Sequence, residues 1–275
     1  MARRYLGHLQ VPATGEVPLL SADLGIERAL PGGKVIPGKR TLYFGYMAIY
    51  RGRGDLEMLA RLVTFVRGLA TERSNEFVRV RAGAVEIAGR GVLLPAPDDL
   101  RMTALIAILV RDGAEQVADD LTRIDPVMHR LHPLPLPLLV DADHLELFPE
   151  LARVPQRRRT RGLTELLRRA MHRQPISVDE LQGEMASEPV PIDWIVFPKF
   201  EPGAQTRLEA FGGAAALFTF AETRLNLHIW GDRALALMRD LLNEAAVSRL
   251  TVGSIPDAAR LLLEAAPRTV GEVTG

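Results

Sequence analysis

The amino-acid sequence predicts an α/β fold, and three observations carry that prediction. Around residues 92–120 an apolar run, a loop, a helical apolar pattern and a second apolar run ending in acids follow one another, the strand, loop, helix, strand order of an α/β unit. A second alternation closes the chain, from IDWIVF through DRALALMRDLLNEA and VSRLTV to IPDAARLLLEAA. The composition, 47% hydrophobic and 25% charged over 275 residues, supplies apolar material for one large domain or two small ones and excludes disorder as the default.

The first element announced by the pattern follows a turn-forming stretch, PGGKVIPG at Pro31 to Gly38, after which TLYFGYMAIY reads as a strand. Gly54-Asp55 opens an amphipathic helix in which Leu56, Leu59, Leu62, Val63 and Val66 recur at helical spacing, with Asp55 as the cap and the end near Gly68. Residues 76–94 alternate around Gly89-Arg90-Gly91, a hairpin turn leading into the buried strand Val92-Leu93-Leu94. PAPDDLRMTALIAILVRDGA is a helix with a proline-rich entrance, and EQVADDLTRIDP a strand that ends in acids. The prolines from Pro126 to Pro137 impose extended chain. RVPQRRRTRGLTELLRRAMHR contains a helix from about Leu163, flanked by a loop through ISVDELQGEMASEP. PIDWIVFPKFEPG is a strand and turn, AAALFTFAETRLNLHIWG and DRALALMRDLLNEA are helices, VSRLTV a strand and IPDAARLLLEAA the closing helix. Trp194, Phe197, Phe200 and Trp230 are assigned to packing.

Lys plus Arg and Asp plus Glu number 34 each, so no global field draws the chain to nucleic acid or an anionic membrane, and any anion site must be local. Cysteine is absent, which removes disulfides, thiolate ligands and thiol nucleophiles and fits a reducing compartment. No apolar h-region follows the arginines of MARRYLGHLQ and no uncharged apolar run approaches the roughly 18 residues of a membrane span, so a soluble, cytoplasmic protein is expected.

The loop at 95–103 is where chemistry is expected, because ligands gather at the carboxyl ends of strands in such units. A phosphate-binding loop needs glycines for close backbone approach, a lysine for the terminal phosphates and a Ser or Thr for magnesium. The frame GxxxxGK[ST] falls on Ala96 to Thr103: Ala96 and Arg101 take the glycine positions, Met102 the lysine, and Thr103 keeps the hydroxyl. Asp98 and Asp99 also enter the loop, and each carboxylate within ~4 Å of a polyphosphate would repel it by about 4 kcal/mol at an effective dielectric of ~20. Nucleotide binding in the usual pose is therefore disfavoured, although Arg101 could supply a displaced positive charge. Read from residue types alone, Asp119-Asp120 is a solvated strand end or a helix cap.

The stretch VRAGAVEIAGRGVLLPAPDDLRMTALIAILVRDGAEQVADDLTRIDP, the segment VFPKFEPGAQTRL and the closing RLTVGSIPDAARLL together resemble HPr kinase/phosphorylase-related proteins, including the HPr-kinase-like enzymes of peptide natural-product clusters. The resemblance covers roughly residues 40–265 and implies a P-loop core of the kind shared with PEP carboxykinase, with a mixed central sheet and flanking helices. It further implies an N-terminal strand and helix segment at 1–75 packing on a core at 76–265, followed by a tail at 266–275. The family's VADD pair falls on Asp119 and Asp120, which the resemblance makes magnesium ligand and general base, with Thr103 and Asp119 as the magnesium site. The family's histidine in VHxxxV falls on Arg81 and its P-loop lysine on Met102, two departures that strike the chemistry directly.

Arg157, Arg158, Arg159, Arg161, Arg168, Arg169 and Arg173 concentrate positive charge on one segment, either a solvated helix face beside a loop or a patch for an acidic peptide or protein partner. No aromatic residue interleaves with them, so single-stranded nucleic acid lacks its stacking platform. His129, His132 and His144 show no pair at the spacing of HExxH, which argues against zinc.

The expectation is thus a catalytically impaired HPr-kinase-like pseudoenzyme with no cofactor, serving as a binding, regulatory or assembly partner in a peptide-modifying or regulatory system, with homo-oligomerisation implied by the resemblance. The alternative is an Mg-ATP-dependent Ser/Thr kinase with Asp119 or Asp120 as base, Thr103 on magnesium and Arg101 replacing the lysine. An enzyme of different chemistry built on the same cleft is the third.

Overall fold

The computed structural model describes residues 20–23, 28–29, 35–36, 38–52, 54–96, 101–151 and 173–266. The chain begins with β1 (Leu20–Asp23), β2 (Arg28–Ala29), β3 (Val35–Ile36), β4 (Arg40–Phe44), β5 (Met47–Gly52) and helix α1 (Asp55–Arg73). It continues with β6 (Val78–Val80), β7 (Ala82–Ile87), β8 (Arg90–Pro95), α2 (Arg101–Arg111), β9 (Glu115–Ala118), β10 (Thr122–Ile124), β11 (Arg130–His132) and β12 (Leu138–Asp141). After these come β13 (Arg173–Ile176), β14 (Glu184–Met185), β15 (Val190–Pro191), β16 (Trp194–Phe200) and β17 (Arg207–Ala210). Helices α3 (Gly213–Glu222), α4 (Leu227–Trp230) and α5 (Asp232–Glu244), strand β18 (Ala246–Val252) and helix α6 (Ile255–Ala265) close the fold.

A mixed seven-stranded sheet in the order β14-β9-β7-β8-β16-β18-β17 forms the centre. Strands β8, β16 and β18 run parallel to one another, whereas β7 lies antiparallel between β8 and β9. Both faces are covered, which is why these strands read as continuous apolar runs. Val92, Leu94, Trp194 and Val196 pack toward α2 and α6, while the intervening Leu93, Ile195 and Phe197 pack toward α3 and α5, as the two-residue strand period requires. Every residue of α2 from Met102 to Val110 is buried, the behaviour of a helix that is apolar all round. The fold is therefore α/β with a mixed central sheet.

Beside this sheet lies a small antiparallel one, ordered β15-β11-β10-β6. Helix α1 packs through Leu59, Ala60 and Val63 against Leu136 and Leu139. Among the described residues no helix is long and apolar enough to cross a membrane.

Several elements differ from the sequence reading, each for a local reason. TLYFGYMAIY is a hairpin, since Gly45 takes φ +54° and lets β4 turn back onto β5 with Phe44 opposite Met47. Helix α1 runs past Gly68 to Arg73, because one interior glycine costs only about 1 kcal/mol and the buried Leu59, Ala60, Val63 and Arg67 hold the helix in place. The β7–β8 turn is Ala88-Gly89, with φ of 51° and 79° as a two-residue hairpin loop demands, so Arg90 and Gly91 already belong to β8. Gly91 is required there for a different reason: a Cβ would lie 1.9 Å from the Pro191 carbonyl oxygen. The segment 115–126 is two strands in two sheets, with the chain changing direction at Asp119-Asp120. The predicted long helix over 214–231 ends at Glu222, where the Thr223 hydroxyl donates to the Phe220 carbonyl at 2.7 Å and the following Arg224 bridges to Val80. Strands β1, β2, β3, β13, β14 and β17 form where the sequence pattern announces none.

Candidate functional site

The carboxyl ends of β8, β9, β16 and β18 lie along one edge of the central sheet, and the residues singled out in the sequence collect there. Thr103 sits in the first turn of α2, and its Oγ1 donates to Asp119 Oδ1 at 2.8 Å. Asp119 follows directly on β9, and both residues are buried. The other carboxylate oxygen is also engaged: Nη2 of Arg67 donates to Asp119 Oδ2 at 2.8 Å. The same guanidinium reaches the Pro137 carbonyl at 3.4 Å and lies 3.9 Å from Asp120 Oδ2. Arg81, between β6 and β7, approaches Asp120 Oδ1 at 3.8 Å.

Two guanidiniums thus face two carboxylates. Asp119 and Arg67 form the tight pair, with side chains only 3% and 10% exposed, whereas Asp120 and Arg81 are about one-third exposed. Arg67 was not foreseen as a site residue, yet its signal was present. It continues the i, i+4 row Leu59, Val63 on the buried face of α1, where an arginine must find a partner.

The remaining loop positions go elsewhere. Ala96 is held by its backbone N–H donating to the Arg81 carbonyl at 3.2 Å. Arg101 places its guanidinium 4.6 Å above the ring of Phe200, at the end of β16. Met102, at the lysine position, is buried in the core and packs toward β7: a Cβ on Gly83 would meet its sulfur at 3.3 Å. A lysine in that orientation would put an ammonium among apolar side chains. Asp98, Asp99, Arg157, Arg158, Arg159, Arg161, Arg168 and Arg169 lie outside the described residues; Arg173 is in β13.

The EPGAQT segment after β16 has a structural task. The Thr206 hydroxyl accepts from the backbone N–H groups of Gly253 and Ser254 at 3.1 and 3.2 Å, and Gly203 N–H donates to the Gly253 carbonyl at 3.2 Å. Gly253 admits no side chain, since a Cβ would stand 1.7 Å from the Ala204 carbonyl oxygen. The Ser254 hydroxyl then caps α6. These contacts fasten the ends of β16 and β18 to one another.

The histidines are dispersed in role: His129 Nδ1 lies 2.8 Å from Glu244, and His132 packs against Phe77 with centroids 4.6 Å apart and ring planes tilted by 44°. Among the described residues no group of three or more His, Asp and Glu side chains is arranged to hold a metal ion. No protein-family model matches the chain, and no curated protein matches it.

Proposed function

We propose that the protein is a catalytically impaired member of the HPr-kinase-like type, a pseudoenzyme that binds or orients a protein or peptide partner in a peptide-modifying or regulatory system. The observation that carries this reading is the Arg67 guanidinium on Asp119. The resemblance gives Thr103 and Asp119 the task of holding magnesium, but here one oxygen of Asp119 accepts from Thr103 and the other from Arg67. A divalent cation placed within ~4 Å of that guanidinium would meet a repulsion of about 8 kcal/mol at an effective dielectric of ~20. The acid pair gains its counter-charge from the protein's own arginines.

Met102 adds to this, because its burial leaves the lysine position without a group to reach phosphate. Asp120 remains partly exposed, with the guanidiniums of Arg67 and Arg81 3.9 and 3.8 Å from its carboxylate oxygens. The partner-binding role then falls to surfaces, with the arginine segment 157–161 as the proposed contact for an acidic partner.

Titration calorimetry with Mg-ATP tests the reading. Silence up to millimolar nucleotide is expected. Micromolar binding that requires magnesium would overturn it in favour of an ATP-dependent kinase acting on a Ser or Thr hydroxyl, with Arg101 in place of the lysine.

A further inference from the structure

A second basic cluster lies in the small antiparallel sheet, and among the described residues its two arginines make no ion pair with a carboxylate. Arg79 of β6, Arg123 of β10 and His132 of β11 occupy directly opposed register positions, so three basic side chains form one row across three strands. Their strand neighbours Val78, Val80, Ile124 and Leu131 are buried in the core shared with α3 and α5, which places the row on the other face.

Arg79 is only 4% exposed, yet its Nε and Nη1 are buried without a hydrogen-bond partner. Arg123 has a buried Nε in the same condition. Its Nη2 donates to the Pro133 carbonyl, and its guanidinium lies 5.3 Å over the Phe77 ring. His132 packs at a tilt against that same ring and lies 3.6 Å from Asp125, whose Oδ1 is taken by the backbone N–H groups of Val127 and Met128. Glu76 acts on both guanidiniums through space, but no carboxylate among the described residues makes an ion pair with either.

Guanidiniums opposed in neighbouring strands repel, and each buried N–H left without an acceptor costs free energy. Burial accordingly draws both arginines below their ordinary pKa. An anion with several acceptor oxygens standing between them would relieve both costs. We propose that the row Arg79, Arg123 and His132 is a binding site for a phosphate group, free or carried as a monoester. Two permanent positive charges match a phosphate dianion, and its tetrahedral oxygens accept donors converging from two strands. Arg123 and His132 are only partly buried and leave the approach from solvent. The row shares no residue with the Asp119 cluster, and the proposal does not depend on whether nucleotide binds there.

The test is a titration of the full chain with inorganic phosphate at constant ionic strength in chloride buffer, followed by calorimetry and by thermal unfolding. Saturable binding that raises the unfolding temperature is expected, with sulfate competing. Arg79→Gln and Arg123→Gln should each weaken it by about tenfold or more, whereas Arg260→Gln, which removes an exposed cation, should leave it unchanged. Arg123→Gln keeps the test open should the buried Arg79 variant fold poorly. O-phosphoserine and ribose 5-phosphate, run as separate arms, tell a phosphorylated side chain from a phosphorylated sugar, the tighter one identifying the carrier. Absence of saturable phosphate binding in the wild type, or binding by both Gln variants as tight as the wild type's, would overturn the proposal.

Discussion

Arg67 and Arg79 are both buried arginines within the same fold, and they stand in opposite electrostatic situations. Arg67 lies against Asp119 at 2.8 Å, with Asp120 at 3.9 Å and a backbone carbonyl completing its contacts. Arg79 has two buried N–H groups without acceptors and faces another arginine across the strand pair. The difference teaches that burial of a cation has no fixed sign for stability. A guanidinium that completes a charge balance holds the structure together, whereas one that lacks its counter-ion is a liability retained for a ligand.

The largest effect should come from breaking the balanced pair. Asp119→Ala leaves the buried Arg67 with only the more distant Asp120, and Arg67→Met leaves Asp119 buried without its counter-charge, so each should destabilise by about 3–5 kcal/mol in urea unfolding, the arginine variant by more. The double variant should recover much of that loss, and a coupling energy near zero in the cycle would show the pair to be energetically idle. Thr103→Val removes the hydrogen bond to a charged acceptor and should cost about 1.5–3 kcal/mol in the same measurement.

The sign should invert at the other arginine. Arg79→Leu removes unpaired buried donors, so in phosphate-free buffer the variant should equal the wild type or exceed it by about 1–3 kcal/mol. Destabilisation on the scale of Arg67→Met would mean that Arg79 has a protein partner after all.

The smallest effect concerns Asp125, beside His132 at the end of the basic row. Its carboxyl is held below the usual carboxylate range by the backbone N–H groups of Met128 and Val127, then by His132. A depressed folded-state pKa contributes stability that is fully present above the ordinary carboxylate pKa and is lost as pH falls through the folded value. Asp125→Ala should therefore cost about 1 kcal/mol at neutral pH, and the difference from wild type should vanish in acid. A pH-independent difference would assign the role of Asp125 to packing instead.

The strand, loop, helix, strand unit around residues 92–120 was legible because local patterns of period two and 3.6 specify it. Thr103 and Asp119 as neighbours came from the resemblance alone; residue types read Asp119 as a solvated strand end or a helix cap, whereas it is buried and accepts from Thr103. The hairpin within TLYFGYMAIY was not legible, since a single glycine at positive φ decides it and glycine is equally common where no turn forms. The break at Asp119-Asp120 was hidden for another reason: leaving one sheet for a second is a long-range event that no local period records.

By itself the sequence determined the alternation of elements, the buried strand Val92-Leu93-Leu94 and the absence of glycine and lysine between Ala96 and Thr103, all of which follow from residue type and spacing. Only the tertiary structure decided what neutralises the acids. Arg67 and Asp119 are 52 residues apart and meet because α1 packs beside β12 and β13 through its apolar row. Likewise, Arg79 and Arg123 became a row only through the register of β6 and β10. Charge pairing is a property of distance in space, and a folded chain sets that distance by packing contacts that the neighbouring sequence does not contain.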